Sequence, residues 1–277
     1  MAAVSGGPDS LALLALAVAA GLRVTAVHVD HALRPGSAAE ADVVADAARR
    51  FGAAFRAVAA PVEPGPNLEA RARAARRAAL PHGAMTGHTL DDQAETVLLN
   101  LLRGAGADGL AAMRPGPTKP LLALRRADTA AVCADLGLDP VVDPTNADVT
   151  LRRNAVRAQV LPLLDGVAGR DVAPLLSRTA ALLADDAELL AALAADLDPT
   201  DAAALAAAPP ALARRAVRAW LTGAYPPDAA TVERVLGVAR GEARGTEVGG
   251  RRRVRRTAGR LRLEPAPPDA GPASGRR

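Results

Sequence analysis

The segment Ser5-Gly6-Gly7-Pro8-Asp9-Ser10 constrains this chain more than any other, because of what stands on either side of it. Apolar Ala2-Ala3-Val4 precedes it, and an alanine- and leucine-rich run to Gly21 follows, which reads as strand end, tight loop and buried helix. Glycines let backbone N–H groups approach an anion closely, and a helix N-terminus behind them adds partial positive charge. Such a loop suits phosphate. A lone Ser-Gly-Gly is more often an ordinary turn, but the whole hexapeptide in this setting reverses the odds. The loop lacks the Gly-Lys-Ser/Thr ending of a Walker loop, which disfavours γ-phosphate transfer of the kinase kind. Asp9 places a carboxylate inside a phosphate cradle. That makes sense with magnesium between the two anions, so Asp9 is the candidate Mg2+ ligand.

The alternation continues. Residues 24–30 read as a second strand, and Ser37 with Glu40 has capping-box spacing for a helix that stops near Gly52. Residues 55–58 form a third strand, 67–80 an arginine-laced helix, 84–87 a short strand, and 90–103 a helix ending at Gly104. The pattern predicts an α/β fold: an open, mostly parallel, Rossmann-like sheet with helices on both faces and ligands beyond the carboxyl ends of the strands. Loops at 114–120 and 139–146 flank a helix at 127–136, and the catalytic domain is expected to cover 1–165. Residues 166–205 read as a helical connector, dominated by a long helix over 171–198. A smaller α+β domain at 206–265 has helices near 212–221 and 229–240 and a basic β segment at 248–263. Residues 266–277, rich in proline and small residues, are expected to be a disordered tail.

Half of the 277 residues are hydrophobic, enough for a sizeable core. Cys133 is the only cysteine, which excludes an internal disulfide framework, a four-cysteine zinc site and a cysteine-ligated iron–sulfur cluster. A reducing cytoplasm fits best. The chain opens with no export signal and has no long uninterrupted apolar span, so a soluble protein without a membrane partner is expected. Its net charge of +4 is carried almost entirely by arginine on the positive side, and the pI is about 10.3. That balance suits a polyanionic partner, although genomic base bias produces similar compositions. Aromatics make up only 1% of residues, so nucleic acid would be held through arginine rather than stacking.

Asp91 and Glu95 lie four apart near the start of the 90–103 helix, so their carboxylates share one face at the edge of an apolar stripe. Such a pair suits an ammonium group or a metal, and one member could accept a proton. First-turn carboxylates are also ordinary helix caps, but His88 and Asp92 alongside favour chemistry. His28 and His31 flank Asp30 at the second strand's end, without a third ligand of zinc spacing. Arg71, Arg73, Arg76 and Arg77 spread over more than one helix face. Arg251, Arg252, Arg253, Arg255, Arg256, Arg260 and Arg262 load a hairpin with charge on both faces, which suits phosphate tracking or mere solubility.

The loop at 5–10 is similar to the PP-loop of ATP pyrophosphatases, enzymes that split ATP between its α- and β-phosphates. Further blocks narrow the resemblance: His28-Val29-Asp30-His31 with Leu33-Arg34, and residues 87–96, Gly-His-Thr-Leu-Asp-Asp-Gln-Ala-Glu-Thr, with Arg103-Gly104. Asp143-Pro144-Thr145-Asn146 and Arg153-Asn154 with Arg157 and Pro162 complete it. Together they resemble the tRNA(Ile)-lysidine synthases across nearly the whole first domain. Residues 214–221 and 245–263 are more loosely similar to that family's C-terminal tRNA-binding domain.

The resemblance implies ATP and Mg2+ as cofactors, and free L-lysine and a tRNA(Ile) with the CAU anticodon as partners; it also admits a homodimer. ATP would adenylate the carbon-2 oxygen of the wobble cytidine, and the lysine ε-amine would displace AMP. Catalytic roles fall on Asp9, His88, Asp91 and Glu95. ATP contacts fall on Ser5, Gly6, Gly7, Pro8, Asp9, Ser10, His28 and Asp30. Substrate contacts fall on His31, Arg73, Arg76, Asp92, Arg103, Arg153, Asn154 and Arg157. Arg77 stands where the family usually has tyrosine. Members also carry a full first strand and an upstream helix, so this sequence is expected to begin late. The rivals are another PP-loop enzyme, such as a tRNA thiolase or an amide-forming synthetase, and a non-catalytic arginine-rich RNA-binding protein.

Overall fold

A computed structural model describes residues 1–30, 37–62, 65, 68–223 and 225–265. His31, Leu33, Arg34, Asn67 and the expected tail at 266–277 lie outside the described residues, as does the side chain of Arg73. The chain divides into two compact units, Met1–Ala184 and Asp185–Arg277.

The first unit is built on a four-stranded parallel sheet. In chain order it holds β1 (Ala2–Ala3), α1 (Pro8–Ala19), β2 (Thr25–Asp30), α2 (Ser37–Arg50), β3 (Ala54–Ala59), α3 (Leu68–Ala79), β4 (Met85–Thr86) and α4 (Leu90–Leu101). The strand order is β3-β2-β1-β4. Two units step outward from β1 to β3, and then the chain crosses back to place β4 on the other side of β1. That reversal opens a crevice beyond the carboxyl ends of β1 and β4, where ligands bind in sheets of this kind. The expected α/β class is therefore found.

Helix α1 is apolar all round because it is buried all round: Leu11, Ala12, Leu13 and Leu14 have no solvent exposure. They form one core with Ala2, Val4, Val24, Ala26, Val44, Ala47 and Ala48. Ala2 and Ala26 come from strands and Val4 and Val24 from positions beside them, so the same burial that fixes the sheet seats the loop at residues 5–7. After α5 (Ala107–Leu110) and α6 (Arg126–Asp135), Leu121 and Cys133 join this core.

Beyond a 3-10 turn at Pro144–Ala147, α7 (Arg152–Ala155) runs through a π-helical turn, Val156–Val160, into α8 (Leu161–Ala168). Pro162 supplies the reason: proline lacks the N–H that an α-helix needs and clashes with the carbonyl four residues back, so the preceding turn widens. The sequence did not suggest this turn. Leu98, Leu99, Val156, Leu161 and Val172 form a second core beneath α4.

The division between the units falls inside α9 (Ala173–Ala195). The second unit holds α10 (Ala202–Ala207), which the sequence reading missed, α11 (Pro210–Leu221), α12 (Ala229–Arg240) and an antiparallel sheet of β5 (Gly245–Glu247), β6 (Arg252–Thr257) and β7 (Arg260–Pro265). Its core includes Leu205, Val217, Leu221, Val235, Val254 and Leu261. Among the described residues no helix is long and apolar enough to cross a membrane.

Candidate active site

The loop between β1 and α1 depends on its glycines. Gly6 adopts φ +89, a left-handed conformation suited to glycine, and a Cβ there would also meet Val141 Cγ2 at 3.0 Å. The Val141 N–H donates to the Gly6 carbonyl at 2.9 Å, tying the 139–143 segment to the loop. Ser10 Oγ accepts from the Ser5 N–H at 3.1 Å and donates to the Gly7 carbonyl at 2.9 Å, closing the turn. Gly7 caps α1 without a side-chain hydrogen bond and Pro8 opens the helix, so the first turn keeps the dipole geometry that attracts an anion. Gly87, at the end of β4, comes so close that a Cβ would lie 2.6 Å from the Asp9 carbonyl oxygen. The loops after β1 and β4 are thus in contact.

Helix α4 starts in this crevice. Thr89, wholly buried, is its cap; Asp92 Oδ2 accepts from the Thr89 N–H at 2.9 Å, and the Asp92 N–H donates to Thr89 Oγ1 at 3.4 Å. This capping box turns Asp91 and Glu95 to their places. Glu95 has no solvent exposure, yet it is surrounded by guanidinium groups: Arg157 Nε donates at 2.7 Å, Arg126 Nη2 at 3.1 Å and Arg153 Nη1 at 3.3 Å. A buried carboxylate stays charged only with such partners. Asp92 Oδ1 shares two of them, at 3.2 Å from Arg126 and 3.5 Å from Arg153.

Asp91 has its own partners. Arg125 grips it with Nη2 at 2.8 Å and Nε at 3.1 Å, and the Arg126 backbone N–H donates at 2.7 Å. Burial works against its ionised form, but the Arg125 hydrogen bonds and the two positive charges outweigh it, holding the carboxyl below its ordinary range. Arg125 also pairs with Asp171. Asp91 and Glu95 each close on arginine, because α6 delivers Arg125 and Arg126 and the π turn delivers Arg157.

Asp9 differs. Thr129 Oγ1, fully buried on α6, donates to Asp9 Oδ1, while Asp9 Oδ2 faces Arg126 Nε at 3.8 Å. Burial pushes this carboxyl above its ordinary value, more than Thr129 and Arg126 pull it down. His88 Nδ1 lies 2.8 Å from Thr86 Oγ1, whose proton goes to the Thr118 carbonyl at 3.1 Å. A pocket of about 160 Å³ adjoins the cluster, with Asp91, Arg125, Arg126, Arg157, Asp165 and Asp171 at its polar rim and Leu161, Pro162 and Ala173 as its apolar wall.

Residues 1–164 match the family described as PP-loop domain, and residues 201–262 the family described as TilS substrate binding domain. A curated tRNA(Ile)-lysidine synthase from Nocardia farcinica is 50% identical over 235 residues, covering 79% of this chain and 74% of the relative. The chain belongs to the tRNA(Ile)-lysidine synthase family. Another synthase of this name, from Mycobacterium bovis, is 42% identical and covers 95% of this chain and 90% of the relative. A solved U34-tRNA thiolase from Methanococcus maripaludis shares the fold, with a TM-score of 0.52 at 18% identity over 65% of this chain and 71% of its own. Membership in the PP-loop family carries ATP binding, and membership among the synthases carries a tRNA substrate.

The residues picked out by the synthase likeness separate in space. Asp9, His88, Asp91, Asp92, Glu95, Arg153 and Arg157 converge on the crevice. His28 is buried with Nδ1 3.0 Å from the Val4 carbonyl oxygen, packed against the end of β1 rather than open to a ligand. Asp30 ends β2. The Asn154 amide donates to the Thr145 and Asp148 carbonyls at 2.7 and 2.9 Å, which holds the 144–148 turn against α7. Arg103 follows the far end of α4, exposed and bonded to Asn100 at 3.3 Å. Twelve residues of helix, about 18 Å, separate it from Asp91. Arg76 lies in the last turn of α3 and takes no part in these ion pairs. Arg125, Arg126 and Thr129 were missed. The only signal was a pair of arginines beginning a helix, where positive charge opposes the dipole and needs a reason.

The arginines of the second unit are divided by strand alternation. Arg252 and Arg256 lie on the face of β6 that carries buried Val254, and they donate to the Leu221 and Ala239 carbonyls at 3.3 and 2.9 Å, near the ends of α11 and α12. Arg260 pairs with Asp198 at 2.5 Å. Arg253, Arg255 and Arg262 occupy the opposite face, with Arg255 and Arg262 directly across from each other.

Proposed function

We propose that this chain joins free lysine to carbon 2 of the wobble cytidine of a CAU-anticodon tRNA(Ile), consuming ATP and yielding AMP and pyrophosphate. The product pairs with adenosine instead of guanosine. The observation that carries this reading is the junction of the 5–10 loop with the first turn of α4 at the β1/β4 switch point, in a chain of this family. The adjacent pocket, lined by three aspartates, three arginines and an apolar wall, suits a flexible chain with an ammonium group at one end and a carboxylate at the other.

A cytosine oxygen is a poor leaving group until it is esterified to phosphate, and an amine attacks only when unprotonated and aimed. ATP supplies the first activation. Within the chain, His88 and the Asp91 carboxylate are the candidate groups to take the amine's proton. Asp9 would hold Mg2+ through hard carboxylate oxygens, and the metal would neutralise phosphate charge beside the loop. The tRNA would be held through phosphate contacts at Arg253, Arg255 and Arg262, in a domain proposed for residues 206–265.

The thiolase rival is disfavoured because Cys133, the single cysteine, is buried and donates from Sγ to the Pro8 carbonyl at 3.3 Å. Plain RNA binding is disfavoured because it needs no buried, arginine-ringed carboxylates. With tRNA and lysine supplied, the expected nucleotide products are AMP and pyrophosphate. ADP and inorganic phosphate as main products would overturn the assignment.

A further inference from the structure

Arg126 stands apart from the other arginines of the cluster. Its guanidinium contacts Asp92 at 3.2 Å and Glu95 at 3.1 Å, and it also reaches the phosphate loop, with Nε 3.8 Å from Asp9 Oδ2. Arg153 and Arg157 face only α4, and Arg125 faces Asp91 and Asp171. The Arg126 backbone N–H is itself fixed on Asp91 at 2.7 Å, so the residue is anchored at one end and placed at the other. Its side chain is 28% exposed, unlike Glu95 at 0%, so one edge of the fork remains open to the crevice. Hydrogen bonding to Asp9 at 3.8 Å is too long to saturate Nε. The positive charge beside a phosphate loop is thus stored on two carboxylates rather than spent on one.

We propose that Arg126 receives the pyrophosphate as it leaves during adenylation, with Asp92 and Glu95 holding the guanidinium ready beside the loop. The inference rests on the ATP-splitting reading above. In that step a bond forms between the cytosine carbon-2 oxygen and the α-phosphorus. The bond from the α-phosphorus to the oxygen bridging to the β-phosphorus breaks, and pyrophosphate departs with its electron pair. Negative charge builds on that bridging oxygen. A prepositioned planar cation stabilises charge that develops in the transition state and needs no reorganisation to do so. Removing one such donor costs roughly 100- to 1000-fold in rate.

The test pairs a binding readout with a rate. Arg126→Gln and Arg126→Lys proteins are titrated with magnesium pyrophosphate by calorimetry, and single-turnover pyrophosphate release is followed with ATP and tRNA. The expected result is at least tenfold weaker pyrophosphate affinity in Arg126→Gln, a 100- to 1000-fold slower release, unchanged tRNA affinity, and partial rescue by Arg126→Lys. Should Arg126→Gln not fold, Arg126→Lys carries the test, because it keeps the charge and loses the fork. Wild-type pyrophosphate affinity in a folded variant of either kind would overturn the proposal and leave Arg126 as a counter-ion of the acidic turn. Release of ADP by the wild-type protein would instead overturn the ATP-splitting reading, so the two failures are distinct.

Discussion

Replacing Glu95 with glutamine tests whether the acidic turn is structural as well as chemical. Glu95 has no exposure and meets three guanidinium groups at 2.7 to 3.3 Å. Glutamine preserves the volume and some hydrogen bonding but leaves Asp92 as the carboxylate shared by Arg126 and Arg153, and takes from Arg157 the ion pair it makes with Glu95. Removing one partner of a buried ion pair costs about 3–5 kcal/mol. Arg157 is 31% exposed and can turn partly to water, which places the cost near the lower figure, about 3 kcal/mol. For a unit the size of residues 1–184, each kcal/mol lowers the melting temperature by about 2–4 °C, so a drop of about 6–12 °C is expected. Asp91→Asn is the comparison: Arg125 keeps Asp171, and the drop should stay within about 2–4 °C for roughly 1 kcal/mol. Calorimetric melting at pH 7 measures both. If Glu95→Gln melted within about 2 °C of wild type, or Asp91→Asn fell as far as Glu95→Gln, the reading of Glu95 as the buried hub would be wrong.

Asp9→Asn should raise the melting temperature at neutral pH while abolishing magnesium-dependent turnover. Burial lifts the folded-state pKa of Asp9 above its unfolded 3.8, so the folded state binds the proton more tightly and stability falls as pH rises through that window. The amide removes the penalty; a lower melting temperature at pH 7 would contradict it. Asp91 has the opposite sign: its folded pKa is depressed, so its stabilisation is present above about pH 3.8 and is lost as acid protonates it, and Asp91→Asn should lose that acid-side dependence. Gly87→Ala forces a methyl group to within 2.6 Å of the Asp9 carbonyl and should cost about 1–3 kcal/mol, with ATP affinity falling alongside the melting temperature. Arg253→Ser, Arg255→Ser and Arg262→Ser together should weaken tRNA binding and lower its salt slope by up to about 3, whereas Arg252→Ser and Arg256→Ser should destabilise the second unit instead. An unchanged slope in the triple variant would show that the outward face is only solubilising.

Much of the sheet was legible because its strands read as short apolar runs alternating with helical ones, and the glycines of the 5–10 loop and Gly87 mark turns between them. What the sequence hid was pairing. The reading of Asp91 and Glu95 took helix spacing as far as it goes, but their partners stand some 30 to 60 residues away, on α6 and the π turn, and no local pattern connects them. The two acceptors of the Asn154 amide were hidden for a similar reason, since they come from a loop whose fold no periodicity announces. The basic hairpin was read as charged on both faces, and composition does not reveal which of those faces meets α11 and α12. Short helices such as α10, six residues long, fall below the length at which periodicity separates helix from loop.

Lysine transfer tests the central claim most directly. Protein, ATP, Mg2+ and labelled lysine are mixed with the CAU-anticodon tRNA(Ile) and, separately, with the methionine tRNA bearing the same anticodon, and the wobble nucleoside is analysed by mass. The expected result is label on the wobble cytidine of the isoleucine tRNA alone, with one AMP and one pyrophosphate for each lysine joined. Stable tRNA binding by the folded protein, with ATP left intact and no label transferred, would contradict the account and leave an RNA-binding protein on a nucleotide-binding scaffold.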